Sequence, residues 1–317
     1  MNEAVDKEHR SGIVAIVGRP NVGKSTFFNA ALGQRLAIES PVAQTTRDRL
    51  VGVVRREGAE LVLLDTPGIR RPRSRLGRVV NRTARDAARE ADVVLYMTVA
   101  QSGVHPGDRT LLADIGASRA AGPPMRGEPA ADDPGRLILV VNKVDRVHDK
   151  RSLLPLIEEL GRIRRFAAVV PISALKADGI GRVLDEAARL VPVGSPRFAA
   201  DVLTDRPVRF LAAELVREQV LLATRQEVPY AVAVQIDSFE EAEDLTRIRA
   251  TIHVEREGQK GILIGRGGSQ LKVIGTKARE RIEELIGRKA YLSLFVRVTP
   301  GWTDSAEALA ELGYAPR

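Results

Sequence analysis

IVAIVGRPNVGKS, residues 13–25, decides the first half of the fold. An apolar run ends on Gly18, a short glycine-bounded loop follows, and Lys24 and Ser25 lead into a helix pattern. Strand, loop and helix in that order turn GRPNVGKS from an ordinary turn into a phosphate-binding loop. Gly18, Arg19, Pro20, Asn21, Val22, Gly23, Lys24, Ser25 and Thr26 then form a cradle for a nucleotide's phosphates. Backbone N–H groups and the helix N-terminus attract the anion, Lys24 neutralises β and γ oxygens, and the Ser25 hydroxyl is a Mg²⁺ ligand.

Working outward, similar apolar runs recur at 61–65, 92–99, 136–143 and 167–173 between helical patterns. Near-continuous Val/Ile/Leu runs of this kind read as buried strands of a mostly parallel sheet with helices on both faces. The chemistry falls at strand ends. Asp65-Thr66-Pro67-Gly68, 47 residues beyond Gly18, offers a carboxylate to the Mg²⁺ shell and the Gly68 N–H to a γ-phosphate. Asn142-Lys143-Val144-Asp145 selects the base. The Asp145 carboxylate accepts from guanine N1–H and its 2-amino group; adenine presents an acceptor at N1 and has no 2-amine, so rejection of roughly 10⁴ is expected. Asn142 either braces the loop or meets the N7 edge, Lys143 packs its stem on the ring, and Ser173-Ala174-Leu175 offers the Ala174 N–H to the guanine oxygen. In AQTTRDR, residues 43–49, a threonine hydroxyl reaches Mg²⁺ when GTP is bound; Thr46 is favoured over Thr45.

Residues 118–135, rich in Gly, Pro and Ala, read as an exposed, disordered insertion, and VPVGSPRF (191–198) as an interdomain linker. The expected division is a flexible tail (1–11), a nucleotide domain (12–190), the linker, and a second domain (199–317). Beyond 198 the order changes to a long helix (207–224), two strands (230–239 and 247–256), helices around GILIGRGG (261–268) with the second at 269–287, and a last strand (291–298). This is an α+β unit. Its GxxG loop, Gly265-Arg266-Gly267-Gly268, lets backbone approach backbone and can clamp about four nucleotides of single-stranded nucleic acid. A plain turn is the alternative reading.

Charge sharpens that choice. The net charge of +8 lies in the first 196 residues, because 197–317 holds 18 basic and 18 acidic residues. Yet 260–289 carries eight basic residues against three acidic, a local excess around the loop. Lys260, Gly261, Ile264, Gly265, Arg266, Gly267, Gly268, Lys272 and Lys277 are the candidate RNA contacts. The chain has no cysteine and therefore no thiol or disulfide chemistry. Its opening, MNEAVDKEHRS, lacks an apolar h-region, so no secretory signal is expected, and no run approaches the length of a membrane span.

GRPNVGKS, AQTTRDR, DTPG, NKVD and SAL, followed by GILIGRGG and the ending GWTDSAEALAELGY, together resemble the bacterial Era family of GTPases, from about Gly12 to Tyr314. The 201–221 segment looks like that family's entry into its KH domain. The resemblance implies a P-loop GTPase domain followed by a type II KH domain, using GTP, GDP and Mg²⁺. It implies binding to the 3′ region of 16S rRNA and assistance in assembly of the 30S subunit, by a cytoplasmic monomer with some peripheral contact with the inner membrane. The 118–135 insertion departs from the family pattern, as does variation at Arg266 and Arg288.

Ile69 follows DTPG where many signalling GTPases carry a water-orienting glutamine, so slow intrinsic hydrolysis is expected, with Lys24, Thr46 and Gly68 closest to the reaction. Asn21 matches an asparagine that in related GTPases recruits K⁺; a loop-bracing hydrogen bond is the alternative. The rival function is a cell-cycle or membrane-associated signalling protein. For it, the 207–224 helix sets Arg206, Arg209, Arg217 and Arg225 beside Phe210, Leu211, Leu215 and Leu221, a pattern that either lies on anionic lipid or packs in a core.

Overall fold

A computed structural model of the chain describes residues 9–40, 42, 45–69, 72, 74–101, 103–120, 135–224 and 231–314. They form two compact units.

The first unit gathers Met1–Ala37, Thr46–Arg70 and Val80–Asp205. Its elements are β1 (Arg10–Gly18), α1 (Lys24–Leu32), β2 (Leu50–Arg56), β3 (Ala59–Asp65), α2 (Arg75–Glu90) from Val80 onward, β4 (Val93–Val99), α3 (Pro106–Ala120), β5 (Leu137–Asn142), α4 (Leu154–Ile163), β6 (Ala168–Pro171) and α5 (Ile180–Leu190). The sheet order is β2-β3-β1-β4-β5-β6, parallel except for β2, which runs antiparallel to β3. Alternation sorts the strand side chains. Ala15, Val17, Val62, Leu64, Val94, Tyr96, Leu139 and Val141 join one core layer with Leu111 and Leu112 of α3 and Leu156 and Leu160 of α4. Their neighbours Val14, Ile16, Leu61, Leu63, Leu95 and Val140 are buried on the other face, where α1 and α5 pack. With β3 on one side of β1 and β4 on the other, the chain departs in both directions from β1, and the crevice at its C-terminal end is where such sheets bind ligands.

Four sequence expectations change. Arg10 and Ser11, placed in a flexible tail, instead open β1, where they pair with Ala59 and Glu60 of β3. β2 is a strand absent from the expected set; it is the sheet's antiparallel edge. Residues 118–120 continue α3 rather than opening a loop, while 121–134, the rest of the expected insertion, lie outside the described residues. The 191–198 segment is no free linker. Pro192 accepts from the Ser11 N–H, Gly194 donates to the His9 carbonyl, and the Arg197 N–H donates to Glu60 at 2.6 Å, so the segment belongs to the first unit, which continues to Asp205. Pro and Gly keep it out of helix, yet its remaining backbone groups still need partners and find them beside β1.

The second unit gathers Ile38–Thr45, Arg71–Val79 and Arg206–Arg317. Its elements are α6 (Val208–Ala223), β7 (Ala233–Glu241), β8 (Leu245–Val254), α7 (Glu257–Ile264), α8 (Ser269–Ile286), β9 (Lys289–Val298) and α9 (Ala306–Glu311). The three strands are ordered β7-β8-β9, with β8 antiparallel to β7 and parallel to β9. Leu215, Val216 and Val220 of α6 and Ile274, Ala278 and Ile282 of α8 cover one face of this sheet. The lipid-facing reading of α6 therefore fails: Leu211, Leu215, Leu221 and Arg217 are buried, and Arg225 lies outside the described residues. The GWTDSAEALAELGY ending has a structural use. Trp302 is fully buried, donates from Nε1 to the Ala231 carbonyl and stacks on Tyr314, while Ser305 caps α9.

The two early segments also have partners within this second unit. The buried Arg217 guanidinium, paired with Glu214, donates to the Thr45 carbonyl, and Glu218 accepts from the Glu39 N–H at 2.8 Å. Further on, the Leu76 N–H donates to the Thr303 carbonyl and the Arg75 N–H to Asp304.

Candidate nucleotide site and nucleic-acid interface

Four loops meet at the C-terminal ends of β1, β3 and β5 and after β6. The phosphate loop turns because three residues accept unusual backbone: Gly18 and Gly23 at φ of 156° and 101°, and Asn21 at 61°. A Cβ on Gly23 would lie 2.2 Å from Asn142 Nδ2, so that position admits glycine alone. Asn142 braces rather than faces a base. Its Nδ2 donates to the Val22 carbonyl, and its Oδ1 accepts from the N–H groups of Lys143 and Ala174, at 2.8, 2.7 and 2.9 Å. The Ala174 N–H, expected to meet the guanine oxygen, is thus spent on the loop here. One side chain pins the phosphate loop, the NKVD loop and the SAL loop together.

Lys24 is buried and donates to the Gly18 and Arg19 carbonyls. Burial pulls its ammonium down to about 8, against an opposing pull from Asp65. Ser25 Oγ donates to Asp65 Oδ2 at 2.8 Å, Thr46 Oγ1 reaches the same oxygen at 3.2 Å, and the two hydroxyls are 3.0 Å apart. One carboxylate and two hydroxyls make an all-oxygen donor set that suits Mg²⁺. Thr45 points elsewhere; its hydroxyl donates to the Val42 carbonyl. Thr66 is buried and donates to the Ile16 carbonyl, so it fixes the loop. A Cβ on Gly68 would meet the Pro20 backbone at 2.6 Å, so the DTPG turn and the phosphate loop approach closer than any other residue permits. Ile69 packs against the core.

In the NKVD loop, Ser173 Oγ donates to Asp145 Oδ1 at 2.7 Å, and this bond holds the exposed Asp145 carboxyl below its usual range. Lys143, at φ 63°, donates from Nζ to the Asn21 carbonyl, and its ammonium is lowered chiefly by burial. Val144 is buried and Leu175 is exposed. The positive-φ residues other than glycine among the described residues are Asn21, Lys143 and Ala177, all in these loops; strain stored at functional turns takes this form.

Sequence reading missed one support of the phosphate loop. Asp108 at the start of α3, with no exposed surface, accepts from Arg19 Nε at 2.9 Å, from the Tyr96 hydroxyl at 2.7 Å and from the His105 N–H at 2.9 Å. A buried carboxylate so satisfied locks Arg19 and with it the loop's second residue. No local pattern links residues 19, 96 and 108.

In the second unit, Gly265, Gly267 and Gly268 have φ of 71°, 55° and 81°. A Cβ at Gly265 would strike Gln270, whereas Gly267 and Gly268 face open space. The loop leads into a groove between α8 and β9, walled by Gly268, Lys272, Thr276, Arg279, Tyr291 and Leu294. Of the expected contacts, Gly268 and Lys272 line this groove. Lys260, Gly261 and Ile264 lie on α7, Gly265, Arg266 and Gly267 in the loop, and Lys277 is exposed on α8 outside the lining. Thr276, Arg279 and the whole β9 wall were missed; the wall is some twenty residues away in sequence. The local basic excess also divides. Arg279, Arg281, Arg288 and Lys289 are ion-paired to Glu283, Glu284, Glu241 and Glu283, while Lys260, Arg266, Lys272 and Lys277 form no ion pair among the described residues.

The sequence profile of the 50S ribosome-binding GTPase family matches residues 13–143, and that of the KH domain matches residues 227–303. GTPase Era of Xanthomonas oryzae pv. oryzae (strain MAFF 311018) is 45% identical over 307 residues, covering 96% of this chain and 97% of that protein. GTPase Era of Syntrophus aciditrophicus (strain SB) is 41% identical, covering 96% and 95%. A crystal structure of Era in complex with MgGDPNP and nucleotides 1506–1542 of 16S ribosomal RNA superposes with a TM-score of 0.88 at 38% identity, covering 97% of this chain and 100% of that one. With a nucleotide site on a mostly parallel sheet, a glycine-loop groove in an α+β unit, and relatives alike over nearly their full length, the chain belongs to the Era family of GTPases.

Proposed function

We propose that this GTPase is a switch that binds the 3′ region of 16S rRNA through its KH groove and assists assembly of the 30S subunit. The observation that carries the reading is that one chain holds both the joined phosphate, DTPG, NKVD and SAL loops and an open glycine-loop groove lined by Lys272, with Arg266 in its loop, neither cation ion-paired among the described residues. Each part needs the other to make a switch.

In this reading Asp145, oriented by Ser173, selects guanine, and Lys24 with the phosphate-loop amides balances charge on the γ-phosphate as water attacks in line. Ser25, Thr46 and Asp65 hold Mg²⁺, which when bound neutralises the β and γ oxygens. Ile69 can neither accept nor donate a hydrogen bond, so intrinsic turnover is slow. The Asn21 carboxamide is offered to K⁺ as an added counter-charge; equal turnover in K⁺ and Na⁺ would remove that part. The protein works in the cytoplasm as a monomer, with its inner-membrane contact peripheral; no helix among the described residues is long and apolar enough to cross a membrane.

Crosslinking in cells followed by mapping of the bound RNA tests the assignment. Reads concentrated at the 3′ end of 16S rRNA support it. Reads spread over messenger RNAs, with ribosomal RNA at background, refute it.

A further inference from the structure

The KH sheet has two faces, and the groove uses only its edge. One face is closed by α6 and α8. On the other, β9 presents Tyr291, Ser293, Phe295 and Arg297 in alternation with the core residues Ala290, Val296 and their neighbours, and β8 presents Arg247 and Arg249. The register sets Arg247 beside Tyr291 and Arg249 beside Ser293, with Thr251 beside Phe295. Tyr291 and Phe295 are 59% and 60% exposed, among the most exposed large hydrophobic side chains of the molecule. A fold that closed its other sheet face with two helices leaves two aromatic rings in water here.

Three arginines surround the rings, and none of them makes an ion pair or hydrogen bond among the described residues. The acidic groups named on this face lie on β7, where Glu240 is cross-strand from Arg247 and Asp237 accepts from the Thr251 hydroxyl. Arg249, whose β7 partner is Ser238, and the β9 residues Tyr291, Phe295 and Arg297 have no carboxylate as strand neighbour, so the positive, aromatic part is the part next to the groove. Continuity is direct, because Tyr291 and Ser293 belong both to this face and to the groove's lining. Two rings four residues apart on a strand lie about 13 Å apart, enough for two or three bases.

We infer that this outer face of β8 and β9 is a second nucleic-acid surface: single-stranded RNA leaving the groove crosses the β9 edge and stacks bases on Tyr291 and Phe295, with Arg247, Arg249 and Arg297 at its phosphates. The occupant is a polyanion with flat apolar faces, which matches rings flanked by unpaired guanidinium groups. Base stacking of this kind is tolerant of sequence, so the face adds length and affinity where the groove supplies the clamp. The inference rests on the RNA reading of the groove.

The test uses the full-length protein with Mg²⁺ and GDPNP. Two labelled single strands serve as probes: the 3′-terminal twelve nucleotides of 16S rRNA, and the nested six-nucleotide piece that binds best. Phe295→Ala and Arg249→Ala, both outside the groove lining, should each weaken the twelve-mer about tenfold and leave the six-mer within twofold. Arg249→Ala should also lower the slope of log affinity against log salt by about 0.7 for the twelve-mer. Gly267→Asp should remove binding of both.

If Phe295→Ala and Arg249→Ala leave the twelve-mer unchanged while Gly267→Asp abolishes both, the outer surface is refuted and the groove reading stands. Equal loss of both probes in Phe295→Ala also refutes it, since the residue then acts on the groove or the fold. Unchanged RNA binding with lost co-sedimentation on 30S particles assigns the face to a protein and overturns the inference. Two intact affinities in Gly267→Asp overturn the groove reading and the inference with it.

Discussion

At the scale of single residues, the nucleotide site turns on how few side chains hold several loops. Asp108 satisfies three donors while fully buried, so Asp108→Ala removes the carboxylate to which the Tyr96 hydroxyl, Arg19 Nε and the His105 N–H donate. Breaking a buried charge pair on one side costs about 3–5 kcal/mol. Thermal unfolding should drop by several degrees, and GTP affinity, read by titration, should fall with it; a variant as stable as the parent would disprove the anchor. Lys24 supplies a pH dependence. Burial lowers its ammonium to about 8, and phosphate oxygens beside it raise it again, so above that pH binding must take up a proton. Affinity for GDP is then flat below 8 and falls as pH rises through it, about tenfold by pH 9. Calorimetry in buffers of different ionisation enthalpy checks both the fall and the proton uptake. Asp145→Asn replaces a double acceptor by a group that can meet only one guanine donor. GTP affinity should collapse, whereas xanthosine triphosphate, with a carbonyl at the 2-position, should now bind better than GTP.

Elements were legible in the sequence where their chemistry is local. The phosphate loop, DTPG and NKVD each sit within one strand end, so a handful of neighbouring residues announces them. What escaped were features made by pairing over distance. The run at 50–56 is a strand only because β3 offers it an edge, Pro and Gly at 191–198 look like a linker until Glu60 accepts from the Arg197 N–H, and Tyr291 becomes a groove wall only opposite α8. α6 shows the same ambiguity. Its arginines and leucines fit a lipid surface or a core equally well on paper, and the buried Arg217 resolves the choice through Glu214 and the Thr45 carbonyl. Arg217→Met should therefore loosen the 38–45 segment. Hydrogen exchange at Glu39 and Thr45 is expected to quicken about tenfold, the loss of roughly one charge-assisted hydrogen bond, with the amides of β8 unaffected.

At the scale of the whole molecule, the chain enters and leaves its second unit more than once. It passes from one unit to the other at the Thr45–Thr46 bond and again within α2. Thr46 is one of the two hydroxyls that meet the Asp65 carboxylate, and Thr45 is the residue held by Arg217. RNA affinity should consequently differ between the protein loaded with GDPNP and with GDP; identical affinities would remove the switch. A fragment beginning at Arg206 should melt well below the same unit in the full chain, because it lacks 38–45 and 71–79 and with them the bonds of Glu218, Arg217, Thr303 and Asp304.

That interleaving fixes an order of events during synthesis. Glu39 and Thr45 leave the ribosome long before Arg217 and Glu218 exist; at about 5–20 residues per second the wait is roughly 10 to 35 seconds. For that interval Glu39 and Thr45 lack their Glu218 and Arg217 partners, and the nascent nucleotide domain meets cellular GTP with the segment before Thr46 untethered at those two points. A newborn chain of this GTPase thus passes through a stage in which nucleotide can come and go without consequence, and it acquires its switch only when its last hundred residues are made.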